Sequence, residues 1–338
     1  MIGQVALSAV WLALLALPGG VTGAAHPTPR GTAPLRVDCT GDAELCRDAA
    51  VCGDCHPDEY AAWQGSRHRA AWNNHTFQYG FARDPKRFCF HCHAPLETDW
   101  RYFAAHRTDA KSEGINCQVC HLAELAPGAA PTRTDDHPIR PTAELRDPAF
   151  CARCHEFDLI ERRGGEMVST GLPLQTTYTE WKAYRAAGGA GTCQSCHMPG
   201  GDHRFRGAHD LAFFRAALTF TVDADDRGWR VSLTNAGIGH NLPSGDIFRR
   251  LVIEHVDHKG QRRPLASFER RFDVKWDESV ERFVQVLASN TSLRPGQTGT
   301  ARLPADARGR VRVIYYWAGR PDEGEPPVVL FEKALDGA

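Results

Sequence analysis

The chain has 338 residues, of which 40 are basic and 41 acidic, so its formal net charge at pH 7 is -1. This length accommodates about two ordinary domains. The balanced charge argues against nucleic acid or an anionic membrane as a partner, because either would bind to a strongly basic surface, which this composition does not suggest. Twelve cysteines are too many for a reduced intracellular protein of this size unless a metal or a cofactor uses them.

An apolar run from Val5 to Leu17 lies close to the N-terminus and is followed by small residues up to Ala25. The run is shorter than the roughly 20 residues of a membrane-spanning helix, and it has the length of a secretory signal. We therefore predict a signal peptide over residues 1–24 and an exported mature protein, either periplasmic or extracellular. An uncleaved anchor is the alternative, because no Lys or Arg precedes the run. No later stretch of the sequence is apolar enough to span a bilayer.

Residues 25–48 form a lead before the first of several repeated motifs. This lead contains Cys39 and Cys46, the two cysteines that lie outside the repeats. Two thiols so close together in an exported chain predict a disulfide bond.

The pentapeptide Cys-x-x-Cys-His occurs five times between residues 49 and 212. Motifs 1 to 5 are, in chain order, Cys52, Cys55 and His56; Cys89, Cys92 and His93; Cys117, Cys120 and His121; Cys151, Cys154 and His155; and Cys193, Cys196 and His197. In such a motif the two thiols add to the vinyl groups of haem, and the histidine ligates the iron from one side. Disulfides or zinc knuckles are the alternative, but zinc does not require a histidine directly after the second cysteine in every copy. The motifs therefore predict five covalently bound haem c groups.

Residues 49–212 are predicted to form a haem domain of short helices and irregular chain. One helix is expected to begin at Pro57, where acidic residues follow the proline. Another covers residues 177–187 and ends at Gly188. Residues 122–148 are rich in Pro, Ala and Thr and are expected to form a long loop. Because the region has few aliphatic runs, the porphyrins would supply most of its apolar core.

After residue 212 the sequence changes character. Cysteine does not recur, and apolar residues alternate with polar ones in segments 218–222, 229–233, 249–256 and 311–317. Such alternation is typical of half-buried strands. The predicted fold class is therefore a helical, irregular multihaem domain followed by an all-β antiparallel sandwich over residues 213–338.

The second axial ligand of each iron distinguishes an electron carrier from an enzyme. Methionine is nearly excluded, because Met1 lies in the signal peptide and Met198 directly follows the histidine of motif 5, which leaves Met167. Histidine is plentiful, with sixteen in the chain. The predicted distal ligands are His68, His137, His203, His209 and His240, with His75 and His106 as alternatives. His91, inside motif 2, and His255 and His258, in a strand and its turn, are expected not to ligate iron.

His240 is the predicted ligand that lies outside the haem domain. It is part of Gly237-Ile-Gly-His-Asn-Leu-Pro-Ser-Gly-Asp246, a loop between predicted strands. The density of Gly and Pro around one histidine favours a shaped loop that carries a functional side chain, with a plain turn as the alternative. If His240 ligates iron, the β domain is a lid on the haem array.

The segment from Cys52 to His68 resembles the opening of multihaem cytochromes c related to the tetrahaem electron acceptor of hydroxylamine oxidoreductase. The sequences around Cys117 and Cys196 are similar to later motifs of that group, which is related to the cytochrome c nitrite reductases. The resemblance covers roughly residues 50–210. It implies closely packed porphyrins that conduct electrons, with His68 as the distal ligand of a haem other than its own. The chain departs from the group in its fifth motif and its β domain, and it lacks the Cys-x-x-Cys-Lys unit of the nitrite reductases.

Two histidine ligands on most of the irons favour an electron carrier over an enzyme. The leading hypothesis is an exported pentahaem cytochrome of anaerobic respiration, without a catalytic residue, that exchanges electrons with a membrane quinol oxidoreductase or another cytochrome. One alternative is an oxidoreductase in which a single open haem acts on nitrite, hydroxylamine or a sulfur oxyanion. Another is a subunit of an extracellular cytochrome filament, and homo-oligomerisation stays open.

The five motifs predict that the mature holoprotein exceeds the mass of its apo-chain by five haem units. Thioether bonds survive denaturation, so the denatured chain should keep its haem on a gel and give a peroxidase stain. Intact-mass spectrometry measures the count. Four or fewer haems in a fully matured sample would contradict the assignment of all five motifs.

Overall fold

The computed structural model describes residues 35–37, 48–105, 112–123, 132–133, 138–139, 142–163, 166–318 and 324–335. Up to residue 216 the described chain is mainly helical, and after it the chain forms antiparallel sheets. None of the helices among these residues is long and apolar enough to cross a membrane. The predicted signal peptide and the pair Cys39 and Cys46 lie outside the described residues.

The helices of the N-terminal region are short. They are α1 (Ala49–Gly53), α2 (Pro57–Gln64), α3 (His75–Arg83), α4 (Phe90–His93), α5 (Glu97–Ala105), α6 (Cys117–His121), α7 (Thr142–Arg146), α8 (Pro148–His155), α9 (Thr177–Ala186), α10 (Cys193–His197) and α11 (Leu211–Ala216). The two helices predicted from sequence are confirmed as α2 and α9. Helix α2 has Pro57 in its first turn together with two acidic residues, and Gly188 follows α9 with a φ of 89°. A positive φ is a conformation that favours glycine and ends a helix.

Two parts of this region differ from the prediction. Residues 122–148 are not one loop, because they include α7 and a short antiparallel pair, β1 (Thr132–Arg133) and β2 (Pro138–Ile139). Residues 156–176, where no regular structure was expected, form a long antiparallel hairpin of β3 (Glu156–Arg163) and β4 (Glu166–Thr176). Gly164-Gly165 lies between these strands in the sequence, and such a pair is a recognised hairpin signal.

The structure describes eight strands in the C-terminal region, within residues 218–318 and 324–335. They are β5 (Leu218–Asp225), β6 (Gly228–Asn235), β7 (Arg250–Val256), β8 (Arg262–Asp277), β9 (Arg282–Asn290), β10 (Thr298–Leu303), β11 (Gly309–Tyr316) and β12 (Val328–Leu335). They form one sheet in the order β10-β6-β5 and another in the order β12-β11-β7-β8-β9, with every pair antiparallel. The antiparallel β region predicted after residue 212 is therefore confirmed.

The two sheets share one apolar core. Val231 and Leu233 of β6 lie in the same cluster as Leu251 and Ile253 of β7, and all four are fully buried. Side chains of a strand point alternately to its two faces, so the alternation read from the sequence places these residues on the inner face. Phe214 of α11 also belongs to this core, so α11 runs across the predicted domain boundary at residue 212.

Leu251→Ala should lower the free energy of unfolding by about 2–5 kcal/mol, the usual cost of removing a fully buried leucine side chain. Val274→Ala is the control, because Val274 is 66% exposed and its truncation should change stability by less than about 0.5 kcal/mol. Urea unfolding followed by far-UV circular dichroism measures both. Equal destabilisation by the two substitutions would contradict the assignment of the core.

Candidate cofactor cavity

A cavity of about 2660 Å³ runs through the helical region and reaches the β region. The two cysteines and the histidine of each of the five motifs line it. Four of the predicted distal ligands also line it, namely His68, His203, His209 and His240. The structure therefore gathers around one space residues that are spread over most of the helical region.

Each motif begins in a short helical segment of one or two turns, and polar residues mark where most of these segments begin. Asp48, Asn116, Asp147 and Thr192 each accept hydrogen bonds from backbone N–H groups at the start of α1, α6, α8 and α10. Such N-caps satisfy donors that the first turn leaves unpaired. Helix α4, which carries the end of motif 2, has no side-chain cap and continues a 3-10 turn over Arg87–Cys89.

The motifs approach one another through their cysteines. The Cys92 sulfur lies 3.9 Å from the carbonyl oxygen of Cys154, which joins motifs 2 and 4. A hydrogen bond between the thiols of Cys52 and Cys117 joins motifs 1 and 3, and it lowers the pKa of Cys52 and raises that of Cys117. A second thiol pair, from Cys151 and Cys193, joins motifs 4 and 5. These contacts therefore connect motifs 2, 4 and 5 in one series and motifs 1 and 3 in another.

Among the described residues, three motif histidines that line the cavity lie opposite a second histidine. The ring centroids are 6.3 Å apart for His155 and His68, 6.2 Å for His121 and His203, and 6.3 Å for His197 and His240. A metal–imidazole bond is about 2.0–2.1 Å long, so one metal ion between two facing imidazoles holds their centroids roughly 6 Å apart. These separations are the ones that a single metal ion would span.

Hydrogen bonds to backbone carbonyls orient several of the histidine rings that line the cavity. The Nδ1 atom of His93 lies 2.7 Å from the carbonyl oxygen of Ala71, and that of His240 lies 2.8 Å from the oxygen of Asn241. The Nδ1 atom of His197 contacts the carbonyl oxygen of Arg206. A carbonyl oxygen can only accept, so Nδ1 is the donor and Nε2 keeps its lone pair. Metal-bound histidines are typically held in this way.

Burial keeps the central histidines uncharged. It lowers the pKa of His68 to about 3 and that of His155 to about 4, and neighbouring histidines and the Arg249 guanidinium add to the effect. Burial also lowers the pKa of His240. These rings are therefore neutral at pH 7, as an imidazole must be in order to bind a metal.

The remaining candidate histidines have other surroundings. His209 Nε2 donates to the Glu325 carboxylate at 2.9 Å and its ring is stacked on Trp317, and the described residues place no motif histidine opposite it. His91 lines the cavity beside Trp100, whereas His75, His255 and His258 do not line it. His106 and His137 lie outside the described residues.

The loop around His240 is fastened to the helical region by Glu180 of α9. The Glu180 carboxylate accepts hydrogen bonds from the backbone N–H of Asn241 at 3.2 Å and from the hydroxyl of Ser244 at 2.6 Å. The sequence gives no sign of the role of Glu180, because a glutamate in an amphipathic helix does not reveal a contact with a distant loop. Phe205 is not indicated either, since its contact with His68 joins separate segments of the chain and leaves no local pattern.

The cavity has no cage for a bare metal ion. Within the part of the chain that the structure describes, no group of three or more His, Cys, Asp or Glu side chains is arranged to hold one. Paired histidines flanked by cysteine pairs instead suit a planar cofactor that brings its own equatorial ligands.

Comparison with known proteins agrees with this geometry. Residues 51–122, less than half of the chain, match the family model described as cytochrome c554 and c-prime. A solved structure, the penta-heme cytochrome c552 from Thermochromatium tepidum, is similar over 84% of this chain and 97% of its own, with a TM-score of 0.59 and 21% sequence identity. At that identity the likeness shows the fold. No curated protein matches the sequence. Together, the family model and the fold support a multihaem c-type cytochrome.

Proposed function

We propose that the chain is an exported c-type cytochrome that binds five haems and carries electrons along them. Each motif would hold one haem through its two cysteines and supply the proximal histidine. The residues present fit such groups, because all five motifs line one cavity and three motif histidines face a second ring at the spacing of a shared metal ion.

The paired rings carry the argument for electron transfer. A haem with histidine on both sides has no open position for a substrate, and its iron changes oxidation state without exchanging ligands. His68, His203 and His240 are the proposed distal ligands of the haems of motifs 4, 3 and 5. This assignment agrees with the expectation that His68 serves a haem other than that of its adjacent motif. The proposed partners are other redox proteins, such as a quinol oxidoreductase or another cytochrome.

The angle between paired rings predicts the order of the electron paramagnetic resonance signals. The interplanar angle is 15° for His197 and His240, 29° for His121 and His203, and 44° for His155 and His68. Parallel rings act on the same iron d orbital and split its levels most, so anisotropy rises as the rings turn apart. The oxidised holoprotein should show three low-spin signals whose largest g value rises in this order. The absence of bis-imidazole low-spin signals would contradict the proposal.

Replacing His240 tests whether the β region supplies an iron ligand. His240→Ala should convert one haem in five from low spin to high spin and raise the potential of that haem, because ferric iron loses a strong donor. Cleavage by protease near residue 212 should become faster, since an iron–nitrogen bond no longer fastens the β region. Absorption spectra, redox titration and limited proteolysis measure these effects.

The control for this test is His258→Ala, which changes an exposed histidine away from the cavity. It should leave all haems low-spin and the cleavage rate unchanged. If both variants keep the spectrum of the wild type, His240 is not a ligand and the β region has another role.

One observation favours a second candidate function, an enzyme with one open haem. Among the residues that the structure describes, His93 is stacked on Phe77 at 3.7 Å and no second histidine ring lies against it. A haem on motif 2 would then have a distal position for a small ligand. Cyanide or nitrite added to the wild-type protein would shift the spectrum of about one haem in five if this candidate holds, and would leave it unchanged if all haems are saturated.

A further inference from the structure

The tetrapeptide His203-Arg-Phe-Arg206 contacts the histidines of two motifs and the ring that faces the histidine of a third. His203 faces His121 of motif 3, with ring centroids 6.2 Å apart. The backbone of Arg206 holds His197 of motif 5 from both sides, because its N–H donates to the His197 carbonyl oxygen at 3.0 Å and its own carbonyl oxygen accepts from His197 Nδ1. Phe205 meets His68, the ring that faces His155 of motif 4.

The rings of His68 and His203 differ from those of His93, His197 and His240 in how they are held. Their Nδ1 atoms are buried, and the described residues provide no hydrogen-bond partner for either atom. In His93, His197 and His240 a backbone carbonyl oxygen accepts a hydrogen bond from Nδ1 and so holds the ring. Packing must therefore set the rotation of the other two rings.

Phe205 is the side chain that packs against both. Its ring lies 4.2 Å from the ring of His68, at an interplanar angle of 61°, and 5.9 Å from the ring of His203, at 85°. Edge-to-face contacts at such distances are favourable and restrict rotation of both partners. One phenyl ring thus touches the distal candidates of two different haem sites.

The backbone of Phe205 is unusual as well. Its φ is 50°, in the left-handed region, which is uncommon for a residue other than glycine, asparagine or aspartate. Strained residues of this kind persist where the surrounding structure fixes them, and they cluster at functional sites. With this backbone conformation the phenyl ring contacts both His68 and His203.

We infer that Phe205 is a positioning residue that sets the orientation of the His68 and His203 imidazoles and, through them, the ligand field of the haems of motifs 3 and 4. The inference rests on the proposed function, because it requires these histidines to be axial ligands. It does not extend to motif 5, whose histidines are both oriented by carbonyl oxygens.

The test compares Phe205→Ala with Phe213→Ala in the matured holoprotein. Phe213 makes the same kind of edge contact with His197, at 6.0 Å and 60°. Phe205→Ala should shift or broaden the two low-spin signals of larger g value, which belong to motifs 3 and 4, and leave the third. Phe213→Ala should leave those two unchanged. Intact mass confirms that five haems are attached in each sample.

Two further variants separate the ring from the backbone strain. Phe205→Tyr keeps the ring and should retain the wild-type signals. Phe205→Gly removes the ring and accepts a positive φ without strain, so it should behave like Phe205→Ala and also serves if the alanine variant does not mature. Wild-type signals in Phe205→Gly would show that the ring is not needed and would overturn the inference.

The outcomes also distinguish this inference from the proposed function. If the wild type lacks bis-imidazole signals, the proposed function fails. If the wild type shows them and Phe205→Ala leaves all three unchanged, or alters all three equally, only the role of Phe205 is overturned.

Discussion

An imidazole serves as an axial ligand only when it is neutral and when one of its nitrogens is held toward the metal. This requirement explains how several of the histidines that line the cavity are buried and oriented. Burial keeps His68 and His155 uncharged. Backbone carbonyls hold His93, His197 and His240 by Nδ1. Much of the helical region consists of brief capped helices and connecting loops that bring these rings to the same space, which explains why long helices are not found among its described residues and why its apolar clusters are small.

The β region is attached to the helical region by polar contacts. Two arginines of the β region contact the β3–β4 hairpin. Arg270 donates to the carbonyl oxygen of Leu174 at 2.6 Å, and Arg282 pairs with Glu161 at 2.5 Å. At another point Arg67 pairs with Glu325 at 2.6 Å. Partly exposed ion pairs contribute little each, about 0–1 kcal/mol. Their wide spacing nevertheless fixes the direction in which the β region faces the cavity.

Sequence patterns reveal what is local and miss what is assembled from distant segments. Local signals, each within a few residues, mark the five motifs, α2, α9 and the alternating strands. These features could therefore be predicted from the sequence. Interpretation of His240 as functional rested on its Gly- and Pro-rich loop, and the structure places it opposite His197. By contrast, the partners of His209 come from a segment more than a hundred residues away, and nothing near it in the sequence indicates Glu325 or Trp317. The left-handed backbone of Phe205 is likewise invisible, because phenylalanine is not a residue that predicts it.

The pairing of His197 with His240 has a consequence for how the protein is made. All five motifs precede residue 198, whereas the ring that faces motif 5 belongs to a loop between β6 and β7. During synthesis the last motif is therefore complete before its partner ring exists. A chain truncated after α11 would retain every attachment cysteine, together with His68 and His203, and would lack the ring opposite His197. Under the proposed ligation, haem attachment and completion of the ligand set would be separate events, and the second would depend on the folding of a region that contains no cysteine.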